Sequence, residues 1–105
     1  MDTSLVDNPQ ASRLELYLQG EVVGILTYEC AGDMVSFTDV TTDPRRTGQG
    51  LGLLLVRSAL DAVGAEGWYV LPVCPFVRDF IRRHPVYLDL VPAEQRHRFE
   101  LPSGL

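Results

Sequence analysis

Hydrophobic and polar side chains alternate along the first half of the chain, which is the pattern of strands with one solvent-facing side. Leucine occupies every second position across residues 13–19, and this period of two predicts a strand. A turn at residues 20–21 leads into a second apolar and aromatic run at 22–29, and a further turn leads into a third at 34–40. We therefore predict an antiparallel meander of three strands. The polar lead-in before it contains a short strand at residues 5–6.

The apolar period changes in the second half of the chain. Leu53, Val56, Leu60 and Val63 are spaced by three, four and three residues, which predicts one stripe of an amphipathic helix. Gly64 and Gly67 end this helix.

Three shorter elements follow. The continuous apolar run at 68–73 predicts a buried central strand that can lie parallel to a neighbour. Residues 76–83 predict a short helix, and its inward positions are Phe76, Val77, Phe80 and Ile81. Alternation at 87–91 predicts a last strand. The fold class is therefore α+β, with helices packed on a sheet.

Composition narrows the class of protein. The 105 residues are 46% apolar and 22% charged, so we predict one globular domain over residues 1–105 with its core at about 13–91. No membrane span or secretory signal is recognisable, so we expect a cytoplasmic protein. The net charge of -5 argues against nucleic acid as a partner. Two cysteines, Cys30 and Cys74, supply neither a disulfide scaffold nor a metal site. Oligomeric state is left open.

A polar, glycine-rich loop precedes the first predicted helix. Backbone N–H groups in Gly48-Gln49-Gly50-Leu51-Gly52 can converge beside the positive end of the helix dipole, which favours an anion. A dinucleotide fingerprint would need glycine at the position of Leu53, and a P-loop would need Lys followed by Ser or Thr, so neither fits. A plain strand-to-helix turn is the alternative.

Three segments of the chain resemble the GNAT superfamily of acetyltransferases. Residues 47–52, Thr-Gly-Gln-Gly-Leu-Gly, followed by Leu-Leu-Leu-Val, are similar to its acetyl-CoA loop, Arg/Gln-x-x-Gly-x-Gly/Ala. Thr47 departs from the first position, and a second register that starts at Arg45 fits the following helix less well. Pro-Val-Cys-Pro-Phe-Val at 72–77 and Phe-Ile-Arg-Arg-His-Pro-x-Tyr-x-Asp-Leu at 80–90 resemble a short, single-domain, bacterial-type GNAT-like group. The resemblance spans residues 14–90.

The resemblance implies transfer of an acetyl group from acetyl-CoA to a primary amine on a small molecule or a protein. It implies a cofactor site at Val40, Thr41, Thr42, Arg46, Thr47, Gly48, Gln49, Gly50, Leu51, Gly52 and Leu53. A backbone N–H on the strand around residues 39–41 would stabilise the oxyanion.

Two residues are the catalytic candidates that the resemblance implies. Cys74 matches the suspected catalytic cysteine of the short group, as nucleophile or as proton donor; the alternative is a small core residue. Asp39 lies where that group usually has a histidine, so it takes over general-base work or marks lost activity; an exposed structural aspartate is the alternative.

Arg45, Arg46 and Arg57 flank the loop and are ligand candidates for phosphate, with solvated surface as the alternative. The remaining candidates are weaker. Cys30 has no supporting neighbour, His84 is a cap or packing residue, and His97 lies in a charged tail.

Two further functions stay open from the sequence. One is an acetyl-CoA binding or sensing module without catalysis, and the other is a protein interaction domain that has kept only the fold.

Overall fold

The computed structural model describes residues 2–102 and contains one five-stranded sheet. The strands are β1 (Thr3–Asn8), β2 (Arg13–Leu18), β3 (Glu21–Ala31), β4 (Met34–Thr42) and β5 (Tyr69–Pro72). They lie in the order β1-β2-β3-β4-β5, in which β1 to β4 form an antiparallel meander and β5 pairs parallel to β4. The predicted α+β class, the meander and the parallel partner of the fifth strand are confirmed.

Two α-helices accompany the sheet, α1 (Leu51–Ala65) between β4 and β5, and α2 (Pro75–Arg83) directly after β5. Short 3-10 helices lie at Pro9–Ala11, Pro44–Arg46, Pro85–Leu90 and Ala93–Phe99. Pro75 stands at the start of α2, where its missing N–H costs no hydrogen bond. No helix within residues 2–102 is long and apolar enough to cross a membrane.

The core lies between α1 and the sheet. Leu55, Val56 and Leu60 on α1 are fully buried against Leu26 of β3 and Phe37 of β4, within one continuous hydrophobic cluster. Burial of such side chains contributes roughly 1.5–3 kcal/mol each, so this contact holds α1, and with it the loop before it, in place on the sheet.

The predicted last strand at 87–91 is wrong. Its residues fall largely in the 3-10 helix Pro85–Leu90, in which the N–H of Tyr87 donates to the carbonyl of His84. Proline fixes the backbone at the start of this segment, and local hydrogen bonds then satisfy groups that a strand would have paired with a neighbour. The apolar alternation instead reflects burial of Leu88 and Val91 in the core.

Three further predictions need correction. The run at 68–73 is an edge strand rather than a central one, because within the described sheet β5 pairs only with β4, and Trp68 and Tyr69 are substantially exposed. Leu53, predicted to face inward, is 50% exposed, since Leu51 and Leu55 take the core-facing positions around it. Phe76 is 41% exposed because it packs beside the start of α1 instead of in the core.

Candidate active site

Strands β4 and β5 separate halfway along β4. Their pairing ends at Phe37 opposite Pro72, and the N–H of Cys74 then donates to the carbonyl of Phe37 at 2.8 Å. Beyond Phe37, no strand within residues 2–102 pairs with this side of β4. The last part of β4 therefore borders a gap.

A bulge in β4 decides which backbone groups face that gap. Phe37 pairs with Tyr28 and Asp39 with Thr27, so Thr38 is an extra residue in the ladder. At the end of the strand, the N–H of Asp43 donates to the carbonyl of Val23 at 2.9 Å. Because bonding direction alternates in antiparallel pairs and Asp43 bonds to β3, the residues one and three positions before Asp43 face away from β3. These residues are Val40 and Thr42, whereas the backbone of Thr41 faces β3.

The glycine loop reaches α1 through left-handed backbone. Gly50 is the N-cap with φ of +71° and has no side chain to cap the helix. The N–H of Leu54 donates to the carbonyl of Gly50 at 3.1 Å, whereas those of Leu51, Gly52 and Leu53 have no acceptor within residues 2–102. No acidic residue lies in the first turn. Three free donors at the positive end of a helix form a suitable cradle for an anion.

A cavity of about 270 Å³ lies at this helix start and brings together most of the predicted cofactor residues. It is lined by Thr42, Arg46, Thr47, Gly48, Gly50, Leu51, Gly52, Leu53 and Phe76. Val40, Thr41 and Gln49 do not line it, although Val40 lies on the neighbouring free edge of β4.

Phe76 is the lining residue that the sequence did not predict. A Cβ atom placed on Gly52 would lie 3.0 Å from Cζ of Phe76, which is too close for an unstrained contact. Glycine at position 52 therefore leaves room for this ring, in addition to the phosphate contact predicted for it. The signal in the sequence is that Gly52 lies between Leu51 and Leu53 at the start of the helix, because a glycine in a helical pattern often marks a close packing contact.

The arginines beside the loop are held by acidic neighbours. Arg46 lines the cavity and forms ion pairs with Glu21 at 3.3 Å and with Asp43 at 3.7 Å. Arg45 pairs with Asp43 at 3.0 Å and is largely exposed, and its side-chain hydrogen bond lowers the pKa of Asp43. Arg57 lies farther along α1 and does not line the cavity. Arg46 is thus the one predicted arginine in the cavity wall.

Thr47 lines the cavity, and its hydroxyl also holds the loop together. Its hydroxyl donates to the carbonyl of Pro44 at 2.8 Å, which closes the 3-10 turn before the glycines. The side chain therefore shapes the loop.

Cys74 lies at the junction of β5 and α2. It is the N-cap residue of α2, and its side chain is buried, with the residue 6% exposed. Arg78 supports this junction, because its guanidinium donates to the carbonyls of Pro72 and Val73. Cys74 is consequently fixed beside β4 at the place where the two strands part.

Asp39 is exposed on β4, two residues beyond the carbonyl that holds Cys74. Its Oδ2 accepts a hydrogen bond from the hydroxyl of Thr41 at 2.9 Å. The structure thus brings both catalytic candidates to the same part of the sheet.

The weaker candidates, Cys30, His84 and His97, do not line the cavity at the glycine loop. Cys30 is exposed near the far end of β3. His84 ends α2 as predicted for a cap, with Nδ1 2.9 Å from the carbonyl of Phe80 and its ring stacked on that of Phe80. His97 lies in the 3-10 helix Ala93–Phe99. No cluster of three metal-ligating side chains occurs in residues 2–102.

Comparison with known families shows which family the chain belongs to. Residues 13–90, well over half of the chain, match the model of the GCN5-related N-acetyltransferases. The chain belongs to this family. The match also confirms the resemblance seen at residues 14–90.

Solved members of this family share the fold. A GCN5-like putative N-acetyltransferase from Staphylococcus aureus is similar with a TM-score of 0.64 and 12% identity, over 85% of this chain and 87% of that one. A GNAT family acetyltransferase from Brucella melitensis, solved in complex with acetyl-CoA, gives a TM-score of 0.52 and 22% identity, over 69% and 54% of the two chains.

The ribosomal-protein-S18-alanine N-acetyltransferase from Escherichia coli gives a TM-score of 0.51 and 20% identity over 55% of this chain. The chain spans 38% of the Escherichia coli protein and, as given above, 54% of the Brucella melitensis one. No curated protein matches the sequence. At these identities the likenesses show a shared fold.

Proposed function

We propose that this protein is an acetyl-CoA-dependent N-acetyltransferase that acts on a primary amine of a small molecule or a protein. The observation that carries the proposal is the cavity at the start of α1, where three backbone N–H groups without acceptors lie beside the free edge of β4. Membership of the family and the complex of the Brucella melitensis relative with acetyl-CoA support it.

The anionic part of the substrate fits the glycine loop. N–H groups of Leu51, Gly52 and Leu53 would donate to the pyrophosphate of coenzyme A, and Arg46 would add a positive charge. The binding set that we propose is Val40, Thr41, Thr42, Arg46, Thr47, Gly48, Gln49, Gly50, Leu51, Gly52 and Leu53. Val40 and Thr42 would contribute through backbone groups on the open side of β4.

The acetyl group would lie in the gap between β4 and β5. The amine nitrogen attacks the thioester carbonyl carbon, the C–S bond breaks, and the N–H of Val40 stabilises the negative charge on oxygen. Asp39 accepts the proton that the amine loses, and the thiol of Cys74 donates one to the departing sulfur. In the alternative route, Cys74 is the nucleophile and carries the acetyl group as a thioester before the amine takes it.

Substitution of Cys74 tests this mechanism, with Cys30→Ala as the matched control because that thiol is exposed far from the gap. We expect Cys74→Ala to lower kcat by about 10²-fold or more while acetyl-CoA still binds, because general acid catalysis contributes ~10²–10⁴-fold. Cys30→Ala should leave kcat unchanged. Transfer that persists at the wild-type rate in Cys74→Ala would make Cys74 a packing residue.

Intact-protein mass after incubation with acetyl-CoA separates the two routes. The chain contains no lysine, so a hydroxylamine-sensitive acetyl adduct cannot be confused with acetylated lysine side chains. An adduct that is lost in Cys74→Ala identifies the nucleophilic route, whereas absence of an adduct together with a lowered kcat in Cys74→Ala identifies the proton-donor route.

A second candidate function is an acetyl-CoA binding module without transfer. Asp39 favours it, because this residue stands where the short group that the chain resembles usually has a histidine, and its carboxylate already accepts a hydrogen bond from the hydroxyl of Thr41. Binding of acetyl-CoA without acetylation of any amine in a broad panel would establish this function and exclude the first.

A further inference from the structure

A separate cavity lies at the opposite end of α1, between the helix and the sheet. Its volume of about 420 Å³ falls in the range of small-molecule sites. Its inner wall is apolar, formed by Leu14, Val35, Phe37 and Val63, and Trp68 and Tyr28 add aromatic rings. Ala62 of this cavity and Gly52 of the glycine loop are separated by ten residues of helix, or roughly 15 Å, so the two sites are distinct.

The polar groups around this cavity carry negative charge. Asp7 and Glu66 line it, and none of the arginines and histidines in the described part of the chain does. Neither carboxylate forms an ion pair with any other residue in the range 2–102. Asp7 accepts a hydrogen bond from the hydroxyl of Tyr28 at 2.5 Å.

The helix adds to this negative potential. Glu66 is the C-cap of α1, where the helix dipole is negative and a basic residue would be favourable, yet the last turn contains none. An acidic cap at this end is electrostatically unfavourable unless a cation lies close to it. An organic cation could also lie over the aromatic faces of Trp68 or Tyr28.

From this combination we propose that the cavity binds a small organic ammonium ion with an apolar body. The apolar part would occupy the space lined by Leu14, Val35 and Phe37, and the charged nitrogen would lie toward Asp7 and Glu66. The proposal does not depend on acetyl-CoA or on the acetyltransferase activity.

Trp68 gives a direct test, because it is the only tryptophan of the chain and lines the cavity. Its fluorescence is followed during titration with three probes of equal chain length: n-octylammonium, n-octanol and octanoate, all below their micellar concentrations. We expect saturable binding of n-octylammonium, about tenfold weaker binding of n-octanol and the weakest binding of octanoate, because only the first gains from the carboxylates. Raising the salt concentration should reduce the advantage of the ammonium probe.

Variants link binding to the cavity. Glu66→Gln and Asp7→Asn should each weaken n-octylammonium binding about threefold to tenfold without affecting n-octanol. Glu29→Gln is the control, because this exposed carboxylate does not line the cavity. Ala62→Phe, at an exposed helix position, should fill the space and abolish binding of all probes.

The proposal is overturned if n-octylammonium gives no saturable signal at millimolar concentration, or if octanoate binds equally well. It is also overturned if binding in Glu66→Gln matches that of the unmodified protein, a result that remains informative should Ala62→Phe fail to fold.

Discussion

Replacement of Gly52 by alanine tests the packing that shapes the loop cavity. Within a helix this change normally stabilises by up to ~1 kcal/mol. Here the new Cβ would lie 3.0 Å from Cζ of Phe76, so the ring must withdraw by roughly 0.5–1 Å to reach an ordinary contact distance. Moving a side chain off its preferred rotamer costs ~0.5–1.5 kcal/mol. The two effects nearly cancel, and we expect a net change in the free energy of unfolding below ~0.5 kcal/mol.

Making the same substitution in the Phe76→Ala variant isolates the contribution of the ring. In Phe76→Ala the obstructing ring is gone, so Gly52→Ala should then stabilise by ~1 kcal/mol and raise Tm by about 4–8 °C. Urea and thermal unfolding of the unmodified protein, the two single variants and the double variant measure the coupling free energy between Gly52→Ala and Phe76→Ala, which we expect to be near 1 kcal/mol. Equal effects of Gly52→Ala in both backgrounds would refute the reasoning, because the ring would then have no part in the requirement for glycine.

The same four proteins report on binding. If Gly52 also allows close approach of phosphate, as first predicted, Gly52→Ala should weaken acetyl-CoA binding even in the Phe76→Ala background. Affinity that recovers fully in the double variant would show that packing against Phe76 is the sole requirement.

Further predictions concern the loop, the core and pH. Gly50→Ala should lower the free energy of unfolding, measured with urea, by ~1–2 kcal/mol. The reason is that φ of +71° disfavours a side chain, although no atom would lie within 4 Å of the new Cβ. Leu55→Ala should lower the free energy of unfolding by ~2–5 kcal/mol because it leaves a buried cavity. Leu53→Ala should change this free energy little, because Leu53 is exposed. The hydrogen bond from Arg13 lowers the pKa of Glu15 from 4.5, so its stabilisation is present above that pH and is lost on acidification. Glu15→Gln should therefore flatten the pH dependence of unfolding below about pH 5; an unchanged acid profile would contradict this.

Most elements could be predicted because their periods reflect burial directly. Leucines alternate along β2, and Leu16 and Leu18 are buried, although Glu15 beside Leu16 is buried as well. The segment after α2 shows where such inference fails. Apolar spacing in residues 87–91 looked like a strand, but Pro85 and local hydrogen bonds favour a 3-10 helix that buries the same residues.

The candidate site was partly predictable for a similar reason. Glycines before a helix indicated the cradle, because that property is local to the backbone. The position of Phe76 depends on how α2 docks beside α1, and the open edge at Val40 depends on a bulge and on where β5 diverges. These are tertiary properties that no periodicity encodes.

Thermal unfolding with and without acetyl-CoA tests the central claim most directly, with free coenzyme A and ATP as comparisons. A ligand at ~100 times its dissociation constant stabilises the folded state by roughly 2.7 kcal/mol, which raises Tm by about 10 °C for a domain of this size. We predict this shift with acetyl-CoA and coenzyme A, its absence with ATP, and its reduction in Gly50→Ala. No shift at millimolar acetyl-CoA would contradict the account and leave the glycine loop as a turn between β4 and α1.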